Sequence, residues 1–235
     1  MRRAGGFTLV ELLAGLTLSL FVISTGVEFF GLARRVFFRL KEREEADQAA
    51  LAAVDRMRID LLHAGQGLAA ETAAGLIEPV RADESALTTT ARERELALAA
   101  AAPAGATRLT LVSAADVARG RRIVLTQART GEVRTVIAVE SGAVVLDGPL
   151  EGAYDPVTAR VSLLESVAYY LDPDAGVLRR RVNDGAAQPA LERAASAAWS
   201  FDPSSLLVRV RLELDVEGAQ AHETTVFVKN AALAR

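Results

Sequence analysis

Residues Phe7–Phe30 (FTLVELLAGLTLSLFVISTGVEFF) form an apolar run whose only ionisable side chains are Glu11 and Glu28. At ~1.5 Å per residue, a helix of this length covers roughly 36 Å and can cross a hydrocarbon core of ~30 Å with some tilt. Met1–Gly6 (MRRAGG) precedes it: short, basic and ending in two glycines. An ordinary secretory signal has a shorter apolar region, followed by a small-residue cleavage site. Here the small residues come before the apolar run. A peptidase cutting after Gly6 would therefore leave the whole helix on the mature chain.

Glu11 is the costly residue in this run. A carboxylate in a membrane helix costs roughly 2.5–3.5 kcal/mol on insertion scales, which makes it a functional candidate. Cleavage after Gly6 would free the amine of Phe7, four residues away on the same helix face. The Glu11 carboxylate could then meet its own chain's amine or that of a neighbouring subunit. The plainer reading is a near-interface glutamate that snorkels toward water, and for Glu28, at the far end of the run, this is the better one.

The helical pattern continues without proline from Gly31 to about Ala64. Ala50, Val54, Met57 and Leu61 recur at helical spacing and make an amphipathic stripe. Lys41–Glu45, Arg43–Asp47 and Arg56–Asp60 set opposite charges four residues apart, which lends the helix modest support. Gly65-Gln66-Gly67 supplies a stop. A helix over 7–64, apolar in its first half and amphipathic in its second, fits a subunit that packs one half in a filament core and holds a domain with the other. It also fits a bitopic membrane protein with a juxtamembrane coiled coil.

Beyond Ala69 the texture changes to short β-type runs. Thr107–Val112, Arg122–Gln127, Val133–Val139 and Ala143–Leu146 read as strands, with Gly131 and Gly142 between them. Ser113-Ala114-Ala115-Asp116 reads as a capping box for one helical turn. Ala99–Ala106 (AAAAPAGA) reads as a loop. Val161–Leu171 and Val177–Val182 flank Asp172-Pro173-Asp174-Ala175-Gly176, a hairpin signal. Val208, Val210, Leu212, Leu214 and Val216 alternate with Arg209, Arg211, Glu213 and Asp215, as in a strand with one wet face. Glu217-Gly218-Ala219-Gln220 then turns the chain into a last strand, about His222–Lys229. Hydrophobic residues make up 51% of the chain but aromatics only 5%, so the core is expected to be aliphatic.

The sequence offers little for catalysis or ligand binding. Without cysteine there is no disulfide, thiolate metal site or cysteine nucleophile. His63 and His222 lie far apart, and only Asp60 stands at a ligand-like distance from His63. No metal or cofactor is expected. Neither a nucleophile elbow, a phosphate loop, a dinucleotide fingerprint nor a paired-carboxylate site is present, so the chain does not read as an enzyme. The net charge is −3, and removal of Arg2 and Arg3 would take it to −5. That balance argues against nucleic acid as a partner. The clusters Arg179-Arg180-Arg181 and Arg119/Arg121/Arg122 lack interleaved aromatics. On a strand, Arg179 and Arg181 would also point away from Arg180.

Gly6-Phe7-Thr8-Leu9-Val10-Glu11-Leu12-Leu13 resembles the processing and methylation motif of type IV prepilins and type II secretion pseudopilins. By that resemblance Gly6 precedes the cut, Phe7 becomes the N-methylated first residue, and Glu11 serves in assembly. The tip-capping K-type pseudopilins usually lack the glutamate, so this chain departs from that class. Arg58-Ile59-Asp60-Leu61-Leu62-His63-Ala64-Gly65 resembles the R-x-D-L-x-x-A-G pattern of PilW and J-type minor pilins. Tyr169–Leu171 with Leu178–Arg180, and Val226–Asn230, resemble the hairpin and the chain ending of that group.

The resemblance implies an α+β fold: a long N-terminal helix packed on an antiparallel β-sheet domain with a small β insertion, the pilin lollipop. The expected division is leader 1–6, membrane and filament-core helix 7–30, stalk 31–68, a loop-rich segment 69–106, a small β subdomain 107–150 and a C-terminal sheet 151–235. The function implied is a minor pilin or pseudopilin that initiates or caps assembly. Its partners would be the prepilin peptidase, other pilins or pseudopilins, an inner-membrane assembly platform and membrane lipid. Its place would be the bacterial inner membrane, single-pass with a periplasmic domain, and then the filament. Arg34, Arg35, Arg39, Lys41 and Arg43 downstream of the span would by positive-inside bias alone place the C-terminal side in the cytoplasm; the motif requires a cytoplasmic leader and overrides that bias. A tip adhesin, a DNA-uptake subunit, or a bitopic protein with a periplasmic binding domain are the alternatives.

Overall fold

The computed structural model describes residues 8–128 and 130–233. The chain divides into two compact units, Met1–Ala46 and Asp47–Arg235. Helix α1 (Leu9–His63) contributes to both. In the first unit its apolar side chains are exposed, and its most apolar 18-residue window has no share buried inside the protein. Three of the hydroxyls along it are satisfied within the helix. Thr17 donates to Leu13 O (3.1 Å), Ser19 to Gly15 O (2.8 Å) and Thr25 to Phe21 O (2.8 Å). Such back-bonding satisfies side-chain donors within the helix itself, as a hydrocarbon surrounding demands. One helix long and apolar enough to span a membrane is therefore present.

In the second unit α1 buries Ala50, Val54, Met57 and Leu61, the stripe expected from the spacing, together with Ala53. The helix stops where Gly65 and Gly67 take positive φ, at 77° and 73°. At Gly67 the positive φ disfavours any residue with a Cβ, which would also push the Arg92 guanidinium aside.

Among the described residues twelve strands follow: β1 (Val80–Ala82), β2 (Leu87–Leu96), β3 (Arg108–Thr110), β4 (Arg122–Gln127), β5 (Thr130–Glu140), β6 (Ala143–Leu146), β7 (Arg160–Asp172), β8 (Val177–Val182), β9 (Gln188–Glu192), β10 (Ala194–Asp202), β11 (Leu207–Leu214) and β12 (His222–Phe227). Two short helices, α2 (Ala69–Ala73) and α3 (Lys229–Ala232), complete the chain. Nine strands form one antiparallel sheet, and β10-β11-β12 form a second. Strand β7 organises the first sheet. One edge pairs with β2; on the other edge its first half pairs with β4 and its second half with β8. Val161 and Leu163 of the first half enter one apolar core with β3–β6, whereas Val167 and Tyr169 of the second half enter another. That other core is where the α1 stripe meets residues of both sheets, among them Leu87, Leu178, Val208, Val210 and Leu212.

Several expectations need correction. Segment 69–106, expected as loop-rich, also carries α2, β1 and the ten-residue β2, which were not expected there. Its Ala/Arg/Glu-rich stretch has no strand propensity of its own; pairing with β7 makes it a strand. Strands β4 and β6 form as read, but β3 is shorter (Arg108–Thr110), β5 starts at Thr130 so that Gly131 lies within it rather than between strands, and β4–β7 pairing joins the group to the large sheet. Residues 151–235 are split between the two sheets, and β9 and β10 were not foreseen. No helical turn forms at Ser113–Asp116, where Asp116 has φ 63°. The last strand ends at Phe227, and Lys229 opens α3.

Candidate functional site

Thr8 and Glu11 close the start of α1 on each other. The Thr8 N–H and Oγ1 donate to Glu11 Oε2 at 2.9 and 3.0 Å, and Glu11 N–H donates to Thr8 Oγ1 at 3.3 Å. This is a capping box, legible in the spacing Thr8-x-x-Glu11 but not read from it. Both side-chain bonds end on Oε2. An ionised carboxylate offers about four lone-pair sites, so it can accept a further donor such as an amine. Gly6 and Phe7, the predicted processing residues, lie outside the described residues.

A second constellation joins residues that sequence pattern alone had singled out from distant segments. Asp60 on α1 is 8% exposed, and Tyr169 on β7 is 1% exposed. The Tyr169 hydroxyl donates to Asp60 Oδ2 at 2.6 Å. Arg180 on β8 donates from Nε to Oδ2 at 2.8 Å and from Nη2 to Oδ1 at 3.2 Å. Tyr169 and Arg180 are direct cross-strand partners, so the β7–β8 register presents both to one helical carboxylate. Burial, and then the hydrogen bond and charge of Asp60, push the Tyr169 phenol above its ordinary value. The hydrogen bond to Asp60 outweighs burial at Arg180 and raises it too. The bidentate guanidinium supplies geometry as well as charge. This carboxylate is committed to holding the helix on the sheet.

The arginine triplet therefore divides as strand alternation requires. Arg180 turns to Asp60, Arg179 pairs with Asp172 at 2.9 Å, and Arg181 lies over the Tyr170 ring at 5.8 Å. Arg121 of the other cluster pairs with Glu93 and donates to Leu164 O at 2.9 Å. Asn230 on α3 donates to Leu62 O at 2.9 Å and Ala64 O at 3.2 Å, covering carbonyls that the end of α1 leaves unpaired. His222 lies 3.2 Å from Asp47. Among the described residues no group of three His, Cys, Asp or Glu is placed to hold a metal ion.

A polar network missed in the sequence centres on Glu132 of β5. Its carboxylate accepts from the N–H groups of Glu151 (3.0 Å) and Gly152 (3.1 Å) and from the Tyr154 hydroxyl (2.9 Å), and it pairs with Arg134. Burial pushes the Glu132 carboxyl up, but these donors outweigh it and hold the group below its ordinary value. Four donors on one carboxylate leave no capacity for a cation, and the network pins the connection between β6 and β7.

No protein-family model matches the chain, and no curated protein matches its sequence. Among solved structures, part of the chain is similar to the Gp54 tailspike of Acinetobacter baumannii bacteriophage AP22, which was solved with a capsular saccharide. The identity is 14% over 33% of this chain and 15% of that one, with a TM-score of 0.29. Another partial likeness, to the tailspike gp49 of Pseudomonas phage LKA1, has 23% identity over 30% of this chain, 14% of that one, and a TM-score of 0.26. The chain thus spans about a seventh of the length of either tailspike. At these scores the likeness carries no functional argument.

Proposed function

We propose that this chain is a structural, non-catalytic minor subunit of a pilin-like filament, either a type IV pilus or a type II secretion pseudopilus. Its leader is removed after Gly6, and it is anchored by the first half of α1. The periplasmic β unit is the face it offers to neighbours. The observation that carries this reading is the segment Gly6–Leu13, with Glu11 placed in the first turn of a single exposed apolar helix. A lone anchor helix would gain only an N-terminal cap from Glu11, whereas a subunit that must pair a new N-terminal amine would gain a partner for it as well. The convergence of Asp60, Tyr169 and Arg180 adds support, because those three stand in the patches that resemble PilW and J-type subunits. Affinity purification of the tagged chain from its native membrane tests the proposal. Co-purifying proteins should include others that open on a Gly-Phe-x-x-x-Glu segment followed by an apolar helix. A purified chain with no such companions contradicts it.

A further inference from the structure

The exposed apolar surface of α1 does not end at Phe30. Leu32, Val36, Phe37, Phe38 and Leu40 are also exposed. Exposed apolar side chains thus extend from Leu9 to Leu40, roughly 48 Å of helix, against a hydrocarbon core of ~30 Å. Residues 31–41 also carry Arg34, Arg35, Arg39 and Lys41 and no acidic side chain. At 3.6 residues per turn, Leu32, Val36 and Leu40 share a stripe with Ala33 and Phe37. Arg35 and Arg39 then rise along one border of that stripe, and Arg34 and Lys41 along the other. This is the pattern of a helix segment at a membrane surface, with its apolar face among acyl chains and its cations at headgroup level. The Arg34 guanidinium lies 5.4 Å over the Phe38 ring, which shields the one aromatic on the polar side.

We propose that residues 31–41 form a collar that binds anionic phospholipid headgroups through Arg34, Arg35 and Arg39. The collar rests on the reading of Leu9–Phe30 as the span and goes beyond the filament role. Charge complementarity selects the occupant. Lys41 pairs with Glu45 at 3.6 Å; a second copy in the same register would bring Arg34, Arg35 and Arg39 against the same three arginines, whereas phosphate headgroups neutralise them. The segment is also continuous with the span, and the headgroup layer begins where the hydrocarbon core ends.

The test uses the full chain in a neutral maltoside detergent. Bound lipid is counted by native mass spectrometry during titration with phosphatidylglycerol or phosphatidylcholine. Wild type should prefer phosphatidylglycerol. One basic residue near an anionic surface contributes roughly fivefold, so R34Q/R35Q/R39Q should lower that preference by more than tenfold. R34K/R35K/R39K should keep most of it, and higher salt should weaken it. Equal binding of both lipids, an unchanged preference in the glutamine variant, or loss in the lysine variant would overturn the proposal. So would glycerol phosphate competing as well as the lipid, since that marks a soluble-anion site. Self-association that phosphatidylglycerol does not displace would assign the face to a second copy instead. Helical circular dichroism checks that each variant is folded. Failure of the span itself would appear separately, as protein recovered without detergent.

Discussion

Asp60 accepts from a phenol and a bidentate guanidinium while almost wholly removed from water. Removing such a carboxylate strands Arg180, a part-buried guanidinium, without its counter-charge, which costs up to about 3–5 kcal/mol. Asp60→Ala should therefore destabilise the β unit by up to that amount in urea unfolding followed by Trp199 emission. Replacing the whole group by apolar residues, Asp60→Leu with Tyr169→Phe and Arg180→Met, should recover much of the loss. A single-variant loss below ~1 kcal/mol would mean that the network is decorative. At the other end of α1, Glu11→Gln isolates charge from structure. Glutamine serves the N3 position of a capping box as glutamate does, so the helix start survives and insertion into lipid becomes easier. What disappears is attraction to a Phe7 amine. The variant should reach the membrane, be cleaved, and fail to co-purify with its companions at equal membrane levels. Normal incorporation would reduce Glu11 to a cap.

At the scale of elements, the β6–β7 connection depends on one acid. Folding lowers the Glu132 carboxyl below its ordinary 4.5. A depressed acid contributes stability that is present above the unfolded value and lost as pH falls through the folded one. Wild type should therefore exceed Glu132→Gln in stability at pH 6–7, and the gap should close on titration below about pH 4. Chemical unfolding across that range measures it; a gap that widens in acid contradicts the assignment. The strands legible in the sequence were those with their own alternation or turn chemistry: β4 and β6, β7–β8 around Asp172–Gly176, and β11. Strand β2 was not legible, because Thr88–Glu95 alternates weakly and gains its conformation from the β7 edge. Strand β10 escaped because Ala194, Ala195, Ala197 and Ala198 give no contrast between faces, and β9 because its Pro189 argues against a strand. At the candidate site, pattern named Asp60, Tyr169, Arg180 and Asn230, but only three-dimensional register reveals what each one holds.

Taken whole, the chain separates an apolar helix exposed along its length from a unit that completes its own core. That core begins at Ala50. Deleting residues 1–44, which removes the exposed apolar residues through Leu40, should therefore yield a soluble, folded protein with a mainly β circular dichroism spectrum and an unfolding midpoint close to that of the β unit in the full chain. An aggregated or mainly helical product would show that the boundary between Ala46 and Asp47 is not a boundary of stability. On the proposed reading, cleavage after Gly6 would leave a free Phe7 amine four residues before Glu11. The most direct test is the intact mass of the protein isolated from its native membrane. A chain beginning at Phe7, with or without one methyl group on its nitrogen, is the predicted result. Retention of Met1–Gly6, or a cut beyond Phe30, would contradict the pilin-like reading.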